Sequence, residues 1–496
     1  MRLTSASSVE SLCLPVLLLL ACASTPKVEY PTLDLAQPDQ WTAGASEGTV
    51  ADQWWRDMGA VRLDSLVALA LEHNYNLKIA GARLAQAQAQ ARVAGAPLWP
   101  QLGANANGSK RKQNFVGLPI PGRSPDQVLT SESTSFGVDL TASWEADLWG
   151  RLRAGAQAAL ADADAAAADF RAARLSLAAQ TARAYFAAVE AGHQVELARA
   201  TVANYRLSAE QIEDRYRRGL RSSLDVRLGR SSLATAEATL AQRRQQRDAA
   251  LRQLELILGR YPSARIEVGD ELPAVGGPVP AGLPAQLVGR RPDLVAAERR
   301  LAAADRRLAQ ARRALLPRIS LTASTGRSSS ALSDLLDGDF SVWNLVGNIA
   351  QPLLQGGRLR AGVDQASSAA EQAIFTYAQS ALRAYGEVEA ALNAEGLLAD
   401  QERALATAAE EAVAARALAE DRYARGLADL IALLESQRRA FDAESRLLAV
   451  RRQRLDTRID LHLALGGGFT LASQTSASSD FGELSRVVEP HAEIQQ

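Results

Sequence analysis

An internal duplication limits the folds open to this chain. The run at residues 148–155, LWGRLRAG, recurs at 355–362 as QGGRLRAG, with six of eight positions identical at an offset of 207 residues. Two further pairs of runs match at the same offset, namely 214–220 with 421–427 and 254–259 with 461–466. Three matches in one register indicate a fold built from two equivalent units.

Each copy has the same predicted order of helix, strand, loop, strand and helical hairpin. The first copy spans 62–260 and the second 285–466, joined by a Pro- and Gly-rich linker at 261–284 and followed by a tail at 467–496. The opening helices are expected at 62–96 and 285–316, because Pro97 and Pro317 cannot continue a helix. A change from helical to alternating periodicity predicts strands at about 99–108, 133–145, 317–326 and 340–351.

About seventy residues of helical pattern follow each pair of strands, at 150–219 and 357–426. A helix of that length measures on the order of 100 Å. Interruptions are expected near Gly192 and Gly396. Each long helix is predicted to reverse at a glycine, and each return helix to end at another, at Gly219 and Gly259 in the first copy and at Gly426 and Gly466 in the second. The fold class is therefore predicted to be mostly α with a small β part.

The strands alternate apolar and polar residues, which predicts a sheet with one apolar face and one polar, solvated face. The expected lipid-facing residues are Phe136, Val138, Leu140, Trp343 and Leu345, and the expected lumen-facing residues are Asn105, Asp139, Thr141 and Arg318. Four strands cannot close a barrel alone, and open edges in hydrocarbon leave backbone groups unpaired. Three copies would give a twelve-stranded transmembrane β-barrel, although closure alone leaves other multiples open. The basic residues 110–112 are expected in an ordinary solvated loop.

Composition excludes several classes of function. The 55 Lys and Arg residues are interleaved with 56 Asp and Glu residues, so no basic surface for nucleic acid is expected. The four histidines are far apart, and the two cysteines, Cys13 and Cys22, both precede the folded body. We therefore predict no catalytic residues, no metal site and no enzyme activity.

The amino terminus resembles the export signal of bacterial lipoproteins. An apolar run at 12–21 has the length of a signal-peptide core and is too short to span a bilayer as a helix. It ends in Leu-Leu-Ala before Cys22, which resembles a lipoprotein processing site. We predict that residues 1–21 are removed, that 22–61 form an extended lipidated segment, and that the only prosthetic group is a covalent lipid such as palmitate on Cys22. The sequence after Cys22 lacks the aspartate associated with inner-membrane retention, which favours the outer membrane.

Taken together, these features resemble the TolC-like outer-membrane factors, and in particular the lipoprotein branch that serves resistance-nodulation-division pumps. The motifs concerned are WEADLWGR at 144–151, RRPDL at 290–294 and the two Arg-Tyr-x-x-Gly-Leu turns, in a duplicated order. The resemblance implies a homotrimer with a twelve-stranded barrel in outer-membrane lipid and an α-helical barrel across the periplasm. It also implies two partners, a periplasmic adaptor protein and an inner-membrane resistance-nodulation-division transporter.

The resemblance also assigns roles to residues. The adaptor-docking tips would include Arg217, Gly219, Leu220, Ser222, Leu224, Asp225, Gly426, Leu427 and Asp429. The periplasmic gate would include Asp429, Ile431, Glu435 and Arg438. Two simpler interpretations stay open, since the glycines could merely form turns and Glu435 could merely pair with Arg438 on a solvated helix face.

The predicted function is a passive outer-membrane exit duct for small molecules such as drugs, in a multidrug efflux pump. The alternatives are a duct for a different exporter, in type I protein secretion or metal efflux, and a periplasmic coiled-coil lipoprotein without a pore. The coiled coil would explain the helices but not the two strand pairs in matched register.

Overall fold

The structure, a computed structural model, describes residues 40–42, 51, 53–115, 128–277, 279–282 and 284–467. The predicted signal peptide at 1–21, Cys22, most of the segment 22–61 and nearly all of the tail lie outside these residues. The described part contains eight α-helices and four strands in the predicted order. They are α1 (Val61–His73), α2 (Tyr75–Gly95), β1 (Gln101–Phe115), β2 (Leu129–Ala146), α3 (Arg151–Arg217), α4 (Ser223–Ile257), α5 (Pro284–Arg290), α6 (Pro292–Arg313), β3 (Arg318–Ser329), β4 (Ser341–Ala350), α7 (Arg358–Ala424) and α8 (Leu430–Ala464).

The four strands form one antiparallel sheet in the order β1-β2-β3-β4. The prediction for β1 was too short, because the strand continues to Phe115 rather than ending near residue 108. The basic residues 110–112, predicted in a loop, therefore lie within β1 and pair with residues 132–134 of β2. Polar residues on both faces hide the alternation in this part. A cross-strand ion pair stabilises the pairing of β1 with β2 in this part, with Lys112 Nζ 3.3 Å from Glu132 Oε1.

The single opening helix predicted for each copy is two helices. In the first copy the break is at Asn74, which has extended backbone dihedrals. Its Oδ1 accepts a hydrogen bond from the Leu77 backbone N–H at 3.0 Å, and its Nδ2 donates to the Ile257 carbonyl at 2.8 Å. In the second copy the break is at Arg291, because the residue before a proline avoids helical dihedrals and Pro292 begins α6.

The predicted interruptions of the long helices are wrong, since α3 and α7 are each continuous over 67 residues. A helix-interior glycine costs only about 1 kcal/mol relative to alanine. The helix formers around Gly192 and Gly396 offset that cost. The end glycines are confirmed: Gly259 and Gly466 have φ of +69° and +86°, directly after the return helices.

The chain divides into two compact units. One joins Ala87–Ala163 to Arg300–Phe375 and contains the whole sheet. The other contains most of the long helices and, among its described residues, four hydrophobic clusters, of which two are large cores. The first core is centred on Trp54, Phe186 and Ile459, which are fully buried. The second lies around Leu294 and is built from residues of the linker, the second copy and the segment before the first copy, including Val279, Ala384, Val388, Leu461 and Trp41.

Candidate functional site: sheet faces and helical turns

The register of the sheet places the predicted lipid-facing residues on one face. Leu140 pairs with Thr325, and Thr325 pairs with Trp343, so the three side chains share a face. The other members of the set follow at intervals of two residues, at Phe136, Val138 and Leu345. This face is open in the single chain, where Trp343 is 80% exposed. The sheet therefore presents an exposed, mainly apolar surface, on which the register also places Thr325 and Arg327.

The opposite face is polar and internally hydrogen-bonded. Asn105 pairs with Asp139 in the register, and its Nδ2 donates to Asp139 Oδ2 at 3.2 Å. Thr141 Oγ1 donates to the same oxygen at 2.7 Å. Arg318 belongs to this face by its position in β3. The strands at the two edges, β1 and β4, each pair with one neighbour only in the described chain, so the sheet has two open edges.

The first helical turn joins α3 to α4 and is closed by backbone hydrogen bonds. Gly219 has φ of +74°, and its N–H donates to the Tyr216 carbonyl at 2.8 Å. The Leu220 N–H reaches back to the Arg215 carbonyl at 2.9 Å, which completes a Schellman motif. Ser222 and Asp225 then form a reciprocal capping box at the start of α4. The residue types at this turn are thus explained by local geometry.

The second turn, between α7 and α8, repeats this arrangement. Gly426 has φ of +78° and donates to the Tyr423 carbonyl at 3.1 Å. The Leu427 N–H donates to the Arg422 carbonyl at 2.8 Å. Asp429 replaces Ser222 as the N-cap, and its carboxylate accepts the Ala432 N–H at 2.7 Å. Both turns present large apolar side chains to solvent, with exposed fractions of 63–68% at Leu220, Leu224, Leu427 and Ile431.

The structure brings the two turns together through residues that sequence reasoning missed. Arg215 of the first turn donates to the Tyr423 carbonyl at 3.0 Å and to the Ala424 carbonyl at 2.7 Å. Its guanidinium carbon also lies 4.9 Å from the centre of the Tyr423 ring. The one available signal was the Arg-Tyr pair present in both turns. A contact between residues more than two hundred positions apart gives no periodicity to detect.

Glu435, predicted in the gate, is held by two guanidinium groups of its own helix. Its carboxylate accepts from Arg438 at 2.9 and 3.0 Å and from Arg439 at 2.7 Å. These hydrogen bonds, that of Arg438 first, lower the pKa of Glu435 to about 2. Arg438 also contacts Asp442, with 3.3 Å between Nη1 and Oδ2. The carboxylate is therefore ionised at any physiological pH and its charge is locally compensated.

Arg217, the remaining predicted tip residue, is exposed, with Nη2 3.7 Å from Glu213 Oε2. Cys22 lies outside the described residues. Across the part of the chain that the structure describes, no three His, Cys, Asp or Glu side chains are grouped so that they could hold a metal ion. Within the same residues, no helix combines the length and the apolar character needed to cross a membrane.

Known proteins are similar to this chain in sequence and in fold over most of its length. The chain is 34% identical over 477 residues to the pyoverdine export outer membrane protein OpmQ of Pseudomonas aeruginosa, covering 94% of this chain and 98% of the relative. Its fold is similar to the open-state outer membrane channel MtrE of Neisseria gonorrhoeae, with a TM-score of 0.78 and 29% identity over 90% of this chain and 98% of that one. The outer membrane channel CmeC of Campylobacter jejuni has the same fold, with a TM-score of 0.84 and 23% identity over 94% and 99% of the two chains.

The family model for outer membrane efflux proteins matches residues 66–260 and 283–467. These two segments contain both strand pairs, both long helices and both helical turns. A match in two segments also agrees with the duplication found in the sequence. The chain therefore belongs to the outer membrane efflux protein family.

Proposed function

We propose that this protein is the outer-membrane channel of a tripartite efflux pump and acts as a passive exit duct for small molecules. The observation that supports it best is the sheet, which has one mainly apolar face, one polar face and two open edges, in a chain whose other described regular elements are helices. An apolar face suits acyl chains and a polar face suits a water-filled lumen.

The open edges favour assembly from several copies. A β1 edge of one copy pairing with the β4 edge of the next would satisfy the backbone groups that hydrocarbon cannot. Three copies give twelve strands, an even number within the range of outer-membrane barrels. We therefore propose a homotrimer in the outer membrane, tethered in addition by a lipid on Cys22. The long helices, each about 100 Å, would extend into the periplasm as a helical barrel.

The channel would perform no chemistry and need no cofactor beyond that lipid. An inner-membrane resistance-nodulation-division transporter would supply the energy and choose the compound, and the duct would conduct what it receives. The relative OpmQ exports pyoverdine, according to its name. A duct that conducts passively places few chemical demands on the exported compound, so the name of OpmQ does not identify the compound that this protein exports.

The two helical turns are the proposed docking sites for the periplasmic adaptor. They share one backbone geometry, and each exposes a leucine directly after its glycine, at Leu220 and Leu427. Exposed apolar side chains on a rigid turn suit the apolar tip of a partner hairpin. Substituting Gly219→Asp or Gly426→Asp should reduce both adaptor cross-linking and drug export, because each adds a charge and strains a positive φ. Unchanged cross-linking and export would refute the docking role.

The gate is proposed to lie just past the second turn, at Asp429, Ile431, Glu435 and Arg438. Ile431 is 68% exposed in the single chain, so it is free to face a narrowed entrance. Asp429 caps α8 and Glu435 is paired with Arg438. A gate built on these residues would therefore rely on packing at Ile431 as much as on charge. This differs from a bare ring of repelling carboxylates.

Reconstitution into planar bilayers tests the duct directly. Wild-type protein should give single-channel currents, and Glu435→Ala should raise the conductance by freeing Arg438 and Arg439 from their partner. Absence of current from both proteins would favour the periplasmic coiled-coil lipoprotein instead. The tether has its own test, since Cys22→Ala should abolish labelling with radioactive fatty acid. A variant that still incorporates the label would exclude Cys22 as the lipidated residue.

A further inference from the structure

The duplication pairs every residue of the first turn with one 207 positions later in the second. Arg215 thereby corresponds to Arg422, and Tyr216 to Tyr423. Two equivalent Arg-Tyr pairs stand at the ends of two equivalent helices, α3 and α7. Their surroundings in the single chain differ, because Arg215 contacts Tyr423 whereas Arg422 does not contact Tyr216.

One combination of these residues is complete within the chain. Arg215 donates to the Tyr423 and Ala424 carbonyls at 3.0 and 2.7 Å, and stands over the Tyr423 ring at 4.9 Å. Those carbonyls lie in the last turn of α7, where helix geometry leaves acceptors without intrahelical donors and the helix dipole is negative. The Tyr423 ring is only 1% exposed and packs with Ile212 and Leu433. Arg215 thus fastens the end of α7 to the first turn.

The equivalent contact, between Arg422 and Tyr216, is not made within the chain. The Arg422 side chain is exposed and has no hydrogen bond, ion pair or ring contact within the described part of the chain. Tyr216 is 47% exposed, although its counterpart Tyr423 is buried. The Tyr216 carbonyl accepts one N–H, from Gly219 at 2.8 Å. An arginine without a partner among the described residues and an exposed tyrosine therefore lie on two turns of the same chain.

Arg215 lies on the first hairpin and contacts the second. By the same relation, Arg422 on the second hairpin faces the position that a further first hairpin would occupy. In a ring of copies, that position is filled by the next copy of this chain. We propose that Arg422 of one copy caps α3 of the next, donating to the Tyr216 and Arg217 carbonyls and covering the Tyr216 ring. The inference rests on the proposed function only in requiring copies arranged side by side.

The contact between copies would contain fewer guanidinium groups than the equivalent contact within a chain. Arg221 also stands over the Tyr423 ring, at 5.0 Å, so that ring meets two guanidinium groups. The residue equivalent to Arg221 is Ala428, so Tyr216 would meet Arg422 alone. Introducing Ala428→Arg should therefore strengthen the contact between copies.

Cross-linking tests the proposal on the full-length protein in detergent. A Tyr216→Cys/Arg422→Cys variant, treated with a short bismaleimide, should give dimer and trimer bands on denaturing gels. The single variants and the unmodified protein, whose cysteines are Cys13 and Cys22, are the controls. Trimers by native mass spectrometry combined with monomer bands on the gel would overturn the proposed contact and leave the proposed function standing. Monomers by native mass spectrometry would overturn the proposed function itself.

The conductance of the reconstituted channel gives a second test, in a double-mutant cycle at Arg422 and Tyr216, two exposed residues. Arg422→Ala and Tyr216→Ala should each raise the conductance of the reconstituted channel several-fold, and the double variant should exceed the larger single effect by little. Ala428→Arg should lower the conductance. Multiplicative effects of the two alanine substitutions would contradict a contact between these side chains.

Discussion

Acidification should destabilise this protein through one buried histidine, His462 in α8. Its ring stacks on Trp54, with 5.0 Å between centroids and 13° between planes, and is 7% exposed. Burial first, and the charge of Arg458 second, lower the pKa of His462 from 6.5 to about 4. Between those values the unfolded chain binds a proton and the folded chain does not, so stability is lost as the pH falls from about 6.5 towards 4.

The loss follows from the two pKa values. At pH 5 the difference in proton binding costs about 2 kcal/mol relative to pH 7.5. The His462→Phe variant keeps a ring against Trp54 and cannot titrate. Other groups titrate in both proteins and cancel in the comparison, including Asp456, whose pKa is raised by burial.

The measurement is urea unfolding of both proteins in detergent, followed by far-ultraviolet circular dichroism at pH 7.5 and pH 5. The wild type should lose about 2 kcal/mol more than His462→Phe over this interval. Equal losses in the two proteins would show that His462 is protonated in the fold or lies outside the core, and the reasoning would fail.

Five further substitutions have defined outcomes. Ser222→Ala should lower the unfolding free energy by about 1 kcal/mol through loss of the N-cap, measured by urea unfolding. Gly426→Ala should lower the free energy of unfolding by about 1 kcal/mol, because φ is positive at that residue. Gly396→Ala should raise it by about 0.5 kcal/mol, because Gly396 lies in the continuous part of α7 with open space around it. The reverse order of the two effects would contradict the assigned turn. Glu255→Gln should cost about 2 kcal/mol, because a buried carboxylate there accepts the N–H groups of a following turn. Since the pKa of Glu435 is about 2, Glu435→Gln should leave the pH profile of conductance unchanged between pH 4.5 and 8, and a profile that flattens would refute that pKa.

Local signals predicted the turns well, because a turn depends on residues that are neighbours in sequence. A glycine after a helix, followed by Ser222 or Asp429, specifies positive φ and an N-cap without reference to the rest of the fold. The break before Pro292 was equally local, and a stricter use of the proline rule would have found it. The break at Asn74 depends on the Ile257 carbonyl, 183 residues away, and no local pattern indicates it.

The sheet shows the same division. Alternation predicted the two faces of β2 and β4, and the register confirms that Leu140 and Trp343 share one. The same alternation failed in the far half of β1, where residues 109–114 are polar on both faces and only pairing with β2 keeps them extended. Pairing is a tertiary property, so the length of such a strand cannot be obtained from its own residues.

Duplication fixes the backbone of the two halves more firmly than their chemistry. Glu255 and His462 occupy equivalent positions, 207 residues apart, near the ends of α4 and α8. Burial alone would raise the pKa of Glu255, but hydrogen bonds from the Ala264 and Arg265 N–H groups and from Ser263 outweigh it, and the pKa is lowered. At the equivalent site His462 receives no such donors and stacks on Trp54 instead. A lowered carboxyl pKa removes stability only as the pH falls below the unfolded value of 4.5, whereas a lowered histidine pKa removes it from about pH 6.5, so of these two equivalent positions the one in the second copy should lose stability first on acidification.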